Sequence, residues 1–313
     1  MGNIKRYGYK PKKYGLSDQN EPPLDRLLTV NIRNYPDMAM VYEKFSKAIE
    51  KPLNRFILGN GAENVIKNVL LAIKPKNLCW HEPTWNMLEV YCEALGIEPI
   101  RKQFHVDTFG NIQNDDVQRI KGVDVYYCNC GTTSLFQYQN CGYPECRYII
   151  YDVTYLCLEE MKVWLKVLNR DKNAIIVGSL GKIYGCGIRL GFAVFPEELN
   201  DAMQLQREQY LNSVAADFIL NENLNEIPAS EFKNKLWDIK PQGSSLTYNY
   251  FTVPGKYKAE FPHKHFQIEN RWYTKFGMPI NYTEFEALRN VLNNGKEEDG
   301  DNNGKEEDGD NNR

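Results

Sequence analysis

Residues 178–192, GSLGKIYGCGIRLGF, set a lysine, Lys182, among glycines directly after an apolar run, with Arg189 seven positions later. The run before it, AIIV at 174–177, is dominated by β-branched residues and bounded by turn formers, which predicts a buried strand. GFAVF at 191–195 predicts a second one. Two buried strands are therefore joined by a cationic, glycine-rich connection. Glycine is favoured where a backbone passes close to another group. A lysine and an arginine in the same connection imply that this group is an anion.

Outward from this connection the pattern alternates. RFIL at 55–58 reads as a short apolar lead-in to GNGAEN at 59–64, and Val65, Val69, Leu70 and Ile73 fall on one face of a helix over 62–73. Residues 77–80 predict a short strand, and WNMLEVYCEAL at 85–95 predicts a helix that stops at Gly96. Further strands are predicted at 123–128 (VDVYYC), 148–153 (YIIYDV) and 246–253, with a final amphipathic helix at 283–293. Strands alternating with helices predict an α/β fold with a mostly parallel sheet, whose ligands gather at strand ends.

The loops at those strand ends carry unusual residues. GNGAEN opens a helix at Gly61, Ala62 and Glu63, where free N–H groups suit a phosphate. EPTW at 82–85 offers Trp85 for stacking on a flat ring. YDVTY ends a strand with a carboxylate, Asp152, and a phenol, Tyr155, and GSLGK ends the next with Ser179 and Lys182. This set matches the needs of pyridoxal 5'-phosphate: a lysine to form a Schiff base, an acid to keep the pyridine nitrogen protonated, and a phosphate clamp. GSLGKI lacks the spacing and the hydroxyl of a nucleotide-binding GxxxxGK[ST] loop, and GCGIRLG puts its third glycine one place late for a dinucleotide fingerprint.

The order of the pieces resembles the fold-type I pyridoxal-phosphate-dependent aminotransferases, closest to the histidinol-phosphate aminotransferase and threonine-phosphate decarboxylase group. The motifs are YPD at 35–37, GNGAEN, PTW at 83–85, DVTY at 152–155, SLGK at 179–182 and GIRLG at 187–191. The resemblance implies an aspartate-aminotransferase-like fold with a reduced second α+β domain. It implies Lys182 as the Schiff-base lysine and proton shuttle, Asp152 as partner of the pyridine nitrogen, and Tyr155 on the ring's 3-oxygen. Trp85 stacks on the ring, while Gly61, Ala62, Glu63, Ser179 and Arg189 hold the phosphate. Tyr35 reaches the phosphate of a partner subunit, because the resembling proteins are homodimers with shared sites.

The chain also departs from that pattern. NCGTTSL at 129–135 stands where an Asn-Pro-Thr-Gly loop is expected, so Thr132 takes the place of the ring-binding asparagine and Asn129 is the substitute. Residues 197–245 form a shorter segment than in the resembling proteins. Arg271 is the nearest candidate for binding a substrate carboxylate. The expected organisation is a large cofactor domain over 37–196, a small domain from 1–36 and 197–293, and an acidic tail over 294–313. The expected reaction moves an amino group between a small polar or phosphorylated amino compound and a 2-oxo acid. Amino-acid decarboxylation on the same fold, or a non-catalytic scaffold, are the alternatives.

Composition narrows the classes. The chain has 313 residues, 42% hydrophobic and 25% charged, with a net charge of −3. It shows no basic field for nucleic acid and no apolar run long enough to span a bilayer. The N-terminal MGNIKRYGYKPKKYG has no apolar segment, and Arg6 stands where a myristoylation motif wants Ser or Thr, so a cytoplasmic location is expected. The eight cysteines are accordingly expected to be reduced thiols. Cys128, Cys130, Cys141 and Cys146 are too tightly spaced at their first pair for a zinc site. His263 and His265 (HKH) predict a solvated loop. GKEEDGDNN at 295–303 repeats at 304–312 with nothing to bury, which predicts disorder. Asp299, Asp301, Asn303 and Gly304 match half of a calcium loop, but no second amphipathic helix follows.

Overall fold

A computed structural model describes residues 36–82, 84–106, 112–113, 120–130, 144–156, 158–170, 172–184, 188–224, 231–242, 244–246, 250–261, 263–268, 271–279 and 282–296. Helix α1 (Met38–Ile49) starts under Asp37, whose Oδ1 accepts the N–H groups of Ala39 and Met40 at 3.1 and 3.3 Å. Then follow β1 (Phe56–Gly59), α2 (Ala62–Ile73), β2 (Asn77–Glu82), α3 (Met87–Leu95), β3 (Glu98–Gln103) and the small ribbon of β4 (His105–Val106) and β5 (Ile112–Gln113). The chain continues through β6 (Val123–Asn129), β7 (Cys146–Asp152), α4 (Leu158–Arg170), β8 (Ala174–Ser179), α5 (Gly181–Tyr184) and β9 (Gly191–Val194). After these come α6 (Asn200–Leu205), α7 (Ser213–Asn221), α8 (Glu231–Ile239), β10 (Ser245–Leu246), β11 (Tyr250–Pro254), β12 (His263–Ile268), β13 (Arg271–Gly277) and α9 (Tyr282–Asn294).

Seven strands form one sheet in the order β1-β9-β8-β7-β6-β2-β3. Every pair in it is parallel except those of β9, which runs antiparallel to both β1 and β8. A parallel sheet is covered on both faces, which is why its strands read as near-continuous apolar runs. On one face Phe56, Tyr151, Ile176 and Phe192 pack with Phe45 of α1, Met161 of α4 and Ile219 of α7. On the other, Ile57, Trp80, Tyr127, Ile150 and Val177 pack with Val65 and Val69 of α2, Leu88 of α3 and Met203 of α6.

A second, antiparallel sheet of order β10-β11-β13-β12 packs Phe251, Val253 and Phe276 against Leu236 of α8 and Phe285 and Leu288 of α9. The period-two alternation of β13 turns Tyr273 the other way. Tyr273 packs with Ile268 and with Phe104, which follows β3, and the Phe104 ring stacks on His81 of β2 at 4.8 Å. This aromatic contact ties the two sheets together. Leu199 and Met203 belong to one core of the large sheet, and Leu211, Ala215, Ile219 and Leu224 to the other. The packing therefore changes after Leu224 rather than at residue 196.

Some local expectations are corrected. The apolar lead-in at 55–58 contributes Phe56, Ile57 and Leu58 to a strand, Phe56–Gly59, paired with β9. The strand expected over 246–253 is two strands, β10 and β11. His263 and His265 lie on β12, not in a loop, and their ring N–H groups donate to the carbonyls of Phe261 (2.9 Å) and Tyr257 (3.1 Å). Cys79, Cys92, Cys130 and Cys146 are in no disulfide, but Cys128 is disulfide-bonded, against the expectation of reduced thiols throughout. Cysteine spacing alone does not show pairing. Among the described residues no metal-binding cluster occurs, and no helix is long and apolar enough to cross a membrane. The acidic repeat lies outside them from residue 297 onward.

Candidate active site

The C-terminal ends of β6, β7 and β8 lie side by side, with Asn129 in register with Asp152 and Asp152 with Val177. Asp152 is 3% exposed. Its Oδ1 accepts the Thr154 N–H at 2.9 Å, and its Oδ2 accepts the hydroxyl of Tyr127. Burial pushes the Asp152 carboxyl above the usual range, opposed by the hydrogen bonds from Thr154 and Tyr127 and by the charge of Lys182.

Lys182 sits half-buried in the single turn of α5, and its Nζ lies 5.5 Å from the centroid of the Tyr155 ring. The end of β7 and the turn after β8 thus converge, bringing Asp152, Tyr155 and Lys182 together. A second cation arrives from the other sheet. Lys275, on the Tyr273 face of β13, has its Nζ 5.7 Å from the same Tyr155 ring centroid.

Beside this group stands a candidate anion cup. Gly61 caps α2 with φ +96°, a backbone shape that favours glycine, and no side chain caps the helix. The first N–H groups of α2 therefore lack helical acceptors and carry the positive end of the helix dipole. Arg189, itself held at φ +51°, brings its guanidinium to 3.2 Å from the position a Cβ on Gly61 would take. Its Nη2 lies 3.5 Å from the Asn60 carbonyl oxygen. A non-glycine residue at positive φ costs on the order of 1–3 kcal/mol, which the surroundings must offset. Asn212 holds the cup closed: its N–H and Nδ2 donate to Asn60 Oδ1 at 3.0 and 3.1 Å, and Nδ2 also to the Ile188 carbonyl at 3.3 Å. Ser179 is 5% exposed and donates to the Leu190 carbonyl at 2.9 Å. Only the backbone of Glu63 belongs to the cup, since its carboxylate is exposed and accepts the Tyr91 hydroxyl at 3.2 Å.

The glycines of GIRLG have a physical reason. A Cβ on Gly191 would lie 2.3–2.5 Å from the backbone of Gly61 and Ala62. Gly191→Ala must displace the first turn of α2, at a cost of about 3 kcal/mol. A lower urea midpoint with unchanged slope, together with weaker anion binding, is the expected result. An unchanged midpoint refutes the close packing.

The remaining predicted residues fall as follows. Trp85 is half-buried just ahead of α3, its ring edge-on to Tyr91 with centroids 5.9 Å apart. The neighbouring Thr84 Oγ1 accepts Asn129 Nδ2 at 3.0 Å, joining the tryptophan segment to the strand end beside Asp152. Arg271 is exposed at the first position of β13, about 13 Å along the strand from Lys275. Tyr35 and Thr132 lie outside the described residues. Tyr127 and Lys275 were not among the residues the sequence pointed to. Period-two counting places Tyr127 on the same face as Asn129, but only strand register shows that its hydroxyl reaches Asp152.

No family profile and no curated protein matches the chain. Solved structures do. The histidinol-phosphate aminotransferase from Clostridium acetobutylicum superposes with TM-score 0.61 at 13% identity, covering 83% of this chain and 91% of that one. The chain has the fold-type I aminotransferase fold. L-threonine-O-3-phosphate decarboxylase from Porphyromonas gingivalis gives TM-score 0.60 at 13% identity, over 83% of this chain and 89% of that one. A decarboxylase from Sulfurospirillum multivorans gives 0.58 at 16% identity, over 80% of this chain and 84% of that one. In this fold a candidate site at the C-terminal ends of the parallel strands, beside a helix N-terminus, stands at the position general to open α/β sheets.

Proposed function

We propose that the protein is a pyridoxal-phosphate-dependent enzyme that moves an amino group between a small polar or phosphorylated amino compound and a 2-oxo acid. One observation carries the reading. A buried carboxylate and a lysine converge at adjacent strand ends, beside an uncapped helix N-terminus faced by an arginine. The residues fit the cofactor. The cup of Gly61, Ala62, Glu63, Ser179 and Arg189 suits its phosphate, Asp152 its pyridine nitrogen, Tyr155 its 3-oxygen and Trp85 its ring face. When bound, the cofactor supplies an electron sink for the bond broken at the substrate α-carbon.

The chain's own residues do the rest. Lys182 Nζ anchors the cofactor covalently and carries a proton to and from the substrate α-carbon. Asp152 holds the proton on the pyridine nitrogen through its charge. Tyr155, with the Lys182 and Lys275 cations 5.5 and 5.7 Å from its ring centroid, orients the anchored end. Lys275 is the group on the second sheet placed to meet a substrate anion, a role the sequence had suggested for Arg271. Lys275→Ala should raise KM by roughly one to two decades with kcat changed less, since a hydrogen bond to a charged group is worth about 1.5–3 kcal/mol. A fall in kcat at unchanged KM places Lys275 in the chemistry instead of in binding.

The same reading makes the protein a cytoplasmic homodimer whose Tyr35 completes the partner's cup. The deciding experiment is the absorption spectrum of purified protein with and without added pyridoxal phosphate, followed by assays for amine exchange with 2-oxo acids and for carbon dioxide release. Cofactor absorbance with amine exchange supports the proposal. Carbon dioxide release without exchange makes the enzyme a decarboxylase, as two of the similar structures are. No cofactor absorbance sinks both.

A further inference from the structure

Tyr127 lies in the middle of β6 and is 1% exposed, among Val125, Trp80, Ile150 and Val177. An aliphatic or phenylalanine side chain would satisfy that packing. The hydroxyl requires a partner there, because a buried hydroxyl without one is costly. Its partner is Asp152 Oδ2 on the neighbouring strand, while the Thr154 N–H takes Oδ1 at 2.9 Å. Both carboxylate oxygens are thus held, each with a second lone pair left over.

We propose that Tyr127 is a positioning residue for Asp152: its hydroxyl donates to the buried carboxylate and fixes its rotation at the strand end. Its consequence for turnover rests on the pyridoxal-phosphate reading; the hydrogen bond itself does not.

The direction of donation follows from the surroundings. Burial, and then the charge of Asp152, push the Tyr127 phenol well above its ordinary range, so it stays protonated and donates. Asp152 is the acceptor, and a hydrogen bond with one ionised partner is among the stronger ones. The other groups facing Asp152 are Thr154, which follows it, Lys182 from α5, and the Cys130 thiol just past β6, which burial keeps neutral. Tyr155 lies close enough to Tyr127 to affect its phenol. Of these, Lys182 acts on Asp152 through its charge, whereas Tyr127 bonds the carboxylate directly. The Tyr127 hydroxyl is held on a buried central strand, so the carboxylate has a donor fixed by the sheet.

The test uses the infrared carboxyl band of Asp152 in cofactor-free full-length protein, isolated by subtracting the spectrum of Asp152→Asn. Tyr127→Phe keeps the ring and removes the donor. It should raise the Asp152 titration midpoint by about one unit or more. Fluorotyrosine at position 127 keeps the shape and is a stronger donor, so it should lower the midpoint. In cofactor-loaded enzyme the acid limb of kcat/KM should move upward in Tyr127→Phe by the same amount. An unchanged midpoint in folded Tyr127→Phe, or a fluorotyrosine shift in the same direction as phenylalanine, overturns the proposal. Should Tyr127→Phe not fold, the fluorotyrosine protein decides alone: a lower midpoint supports the bond and an unmoved one refutes it. If wild-type protein takes up no cofactor, the functional reading fails while the midpoints still decide the role of Tyr127.

Discussion

Lys182→Ala should abolish turnover, by ~10⁴-fold or more, because on the proposed reading it removes both the covalent anchor and the proton carrier in one step. The fold should survive. Lys182 is half-buried in a one-turn helix, and its Nζ approaches the Tyr155 ring rather than filling a core. Affinity for the cofactor should fall but not vanish, since the α2 N-terminus and Arg189 are untouched. Borohydride reduction, which fixes a covalently held cofactor to its lysine, followed by peptide mapping, checks the assignment. Lys275 is the internal control. Both lysines lie within 6 Å of the Tyr155 ring centroid, at 5.5 and 5.7 Å, so geometry alone leaves two amines near the same phenol. Lys182 is favoured because it sits in the turn of helix just after β8, the strand that pairs with β7 beside Asp152, and its charge acts on that carboxylate. A label on the Lys275 peptide would reverse the two roles.

What the sequence made legible was what local periodicity controls. The helix expected over 62–73 is Ala62–Ile73, since the apolar spacing, the glycine before it and the turn after it all agree. The buried strands at 174–177 and 191–195 stand out because this sheet is covered on both faces, so strands within it, parallel or antiparallel, are apolar throughout. β3 was not legible. EPIRKQ is an edge strand with charged residues and a proline, the composition that protects an exposed edge from pairing further. β12, HKHFQI, hid for a related reason, being the outer strand of the small sheet. Within the site, Asp152, Tyr155 and Lys182 could be grouped because each ends or follows a strand, and in an α/β sheet those ends meet. Tyr127 and Lys275 could not. Tyr127 depends on the register of β6 against β7, and Lys275 on how a second sheet docks through Phe104 and Tyr273. Neither relation leaves a trace in spacing along one chain.

Asp152→Asn should leave the cofactor bound and slow turnover by about 10²–10³-fold, the scale of losing one preorganised electrostatic partner. On the proposed reading the carboxylate's charge would keep the pyridine nitrogen protonated, and an opposite charge within hydrogen-bonding reach shifts such a group by roughly one to three units. The asparagine is neutral and cannot do so. The same substitution should act on stability in the opposite sense. Burial raises the Asp152 pKa in the folded protein above its unfolded value of about 4. The protonated form is therefore favoured by folding. Its contribution is complete below the unfolded value and is lost as pH rises through the raised folded value. At neutral pH the cofactor-free wild type carries that loss and the asparagine variant does not. Urea unfolding of both, cofactor-free, from pH 4 to pH 8 should show wild type losing stability relative to Asp152→Asn across the window above pH 4. A carboxylate that costs stability yet is needed for turnover is the signature of a functional group held against its own desolvation. Parallel stability curves, or normal turnover in the variant, would show instead that Asp152 is only a strand-end cap for Thr154.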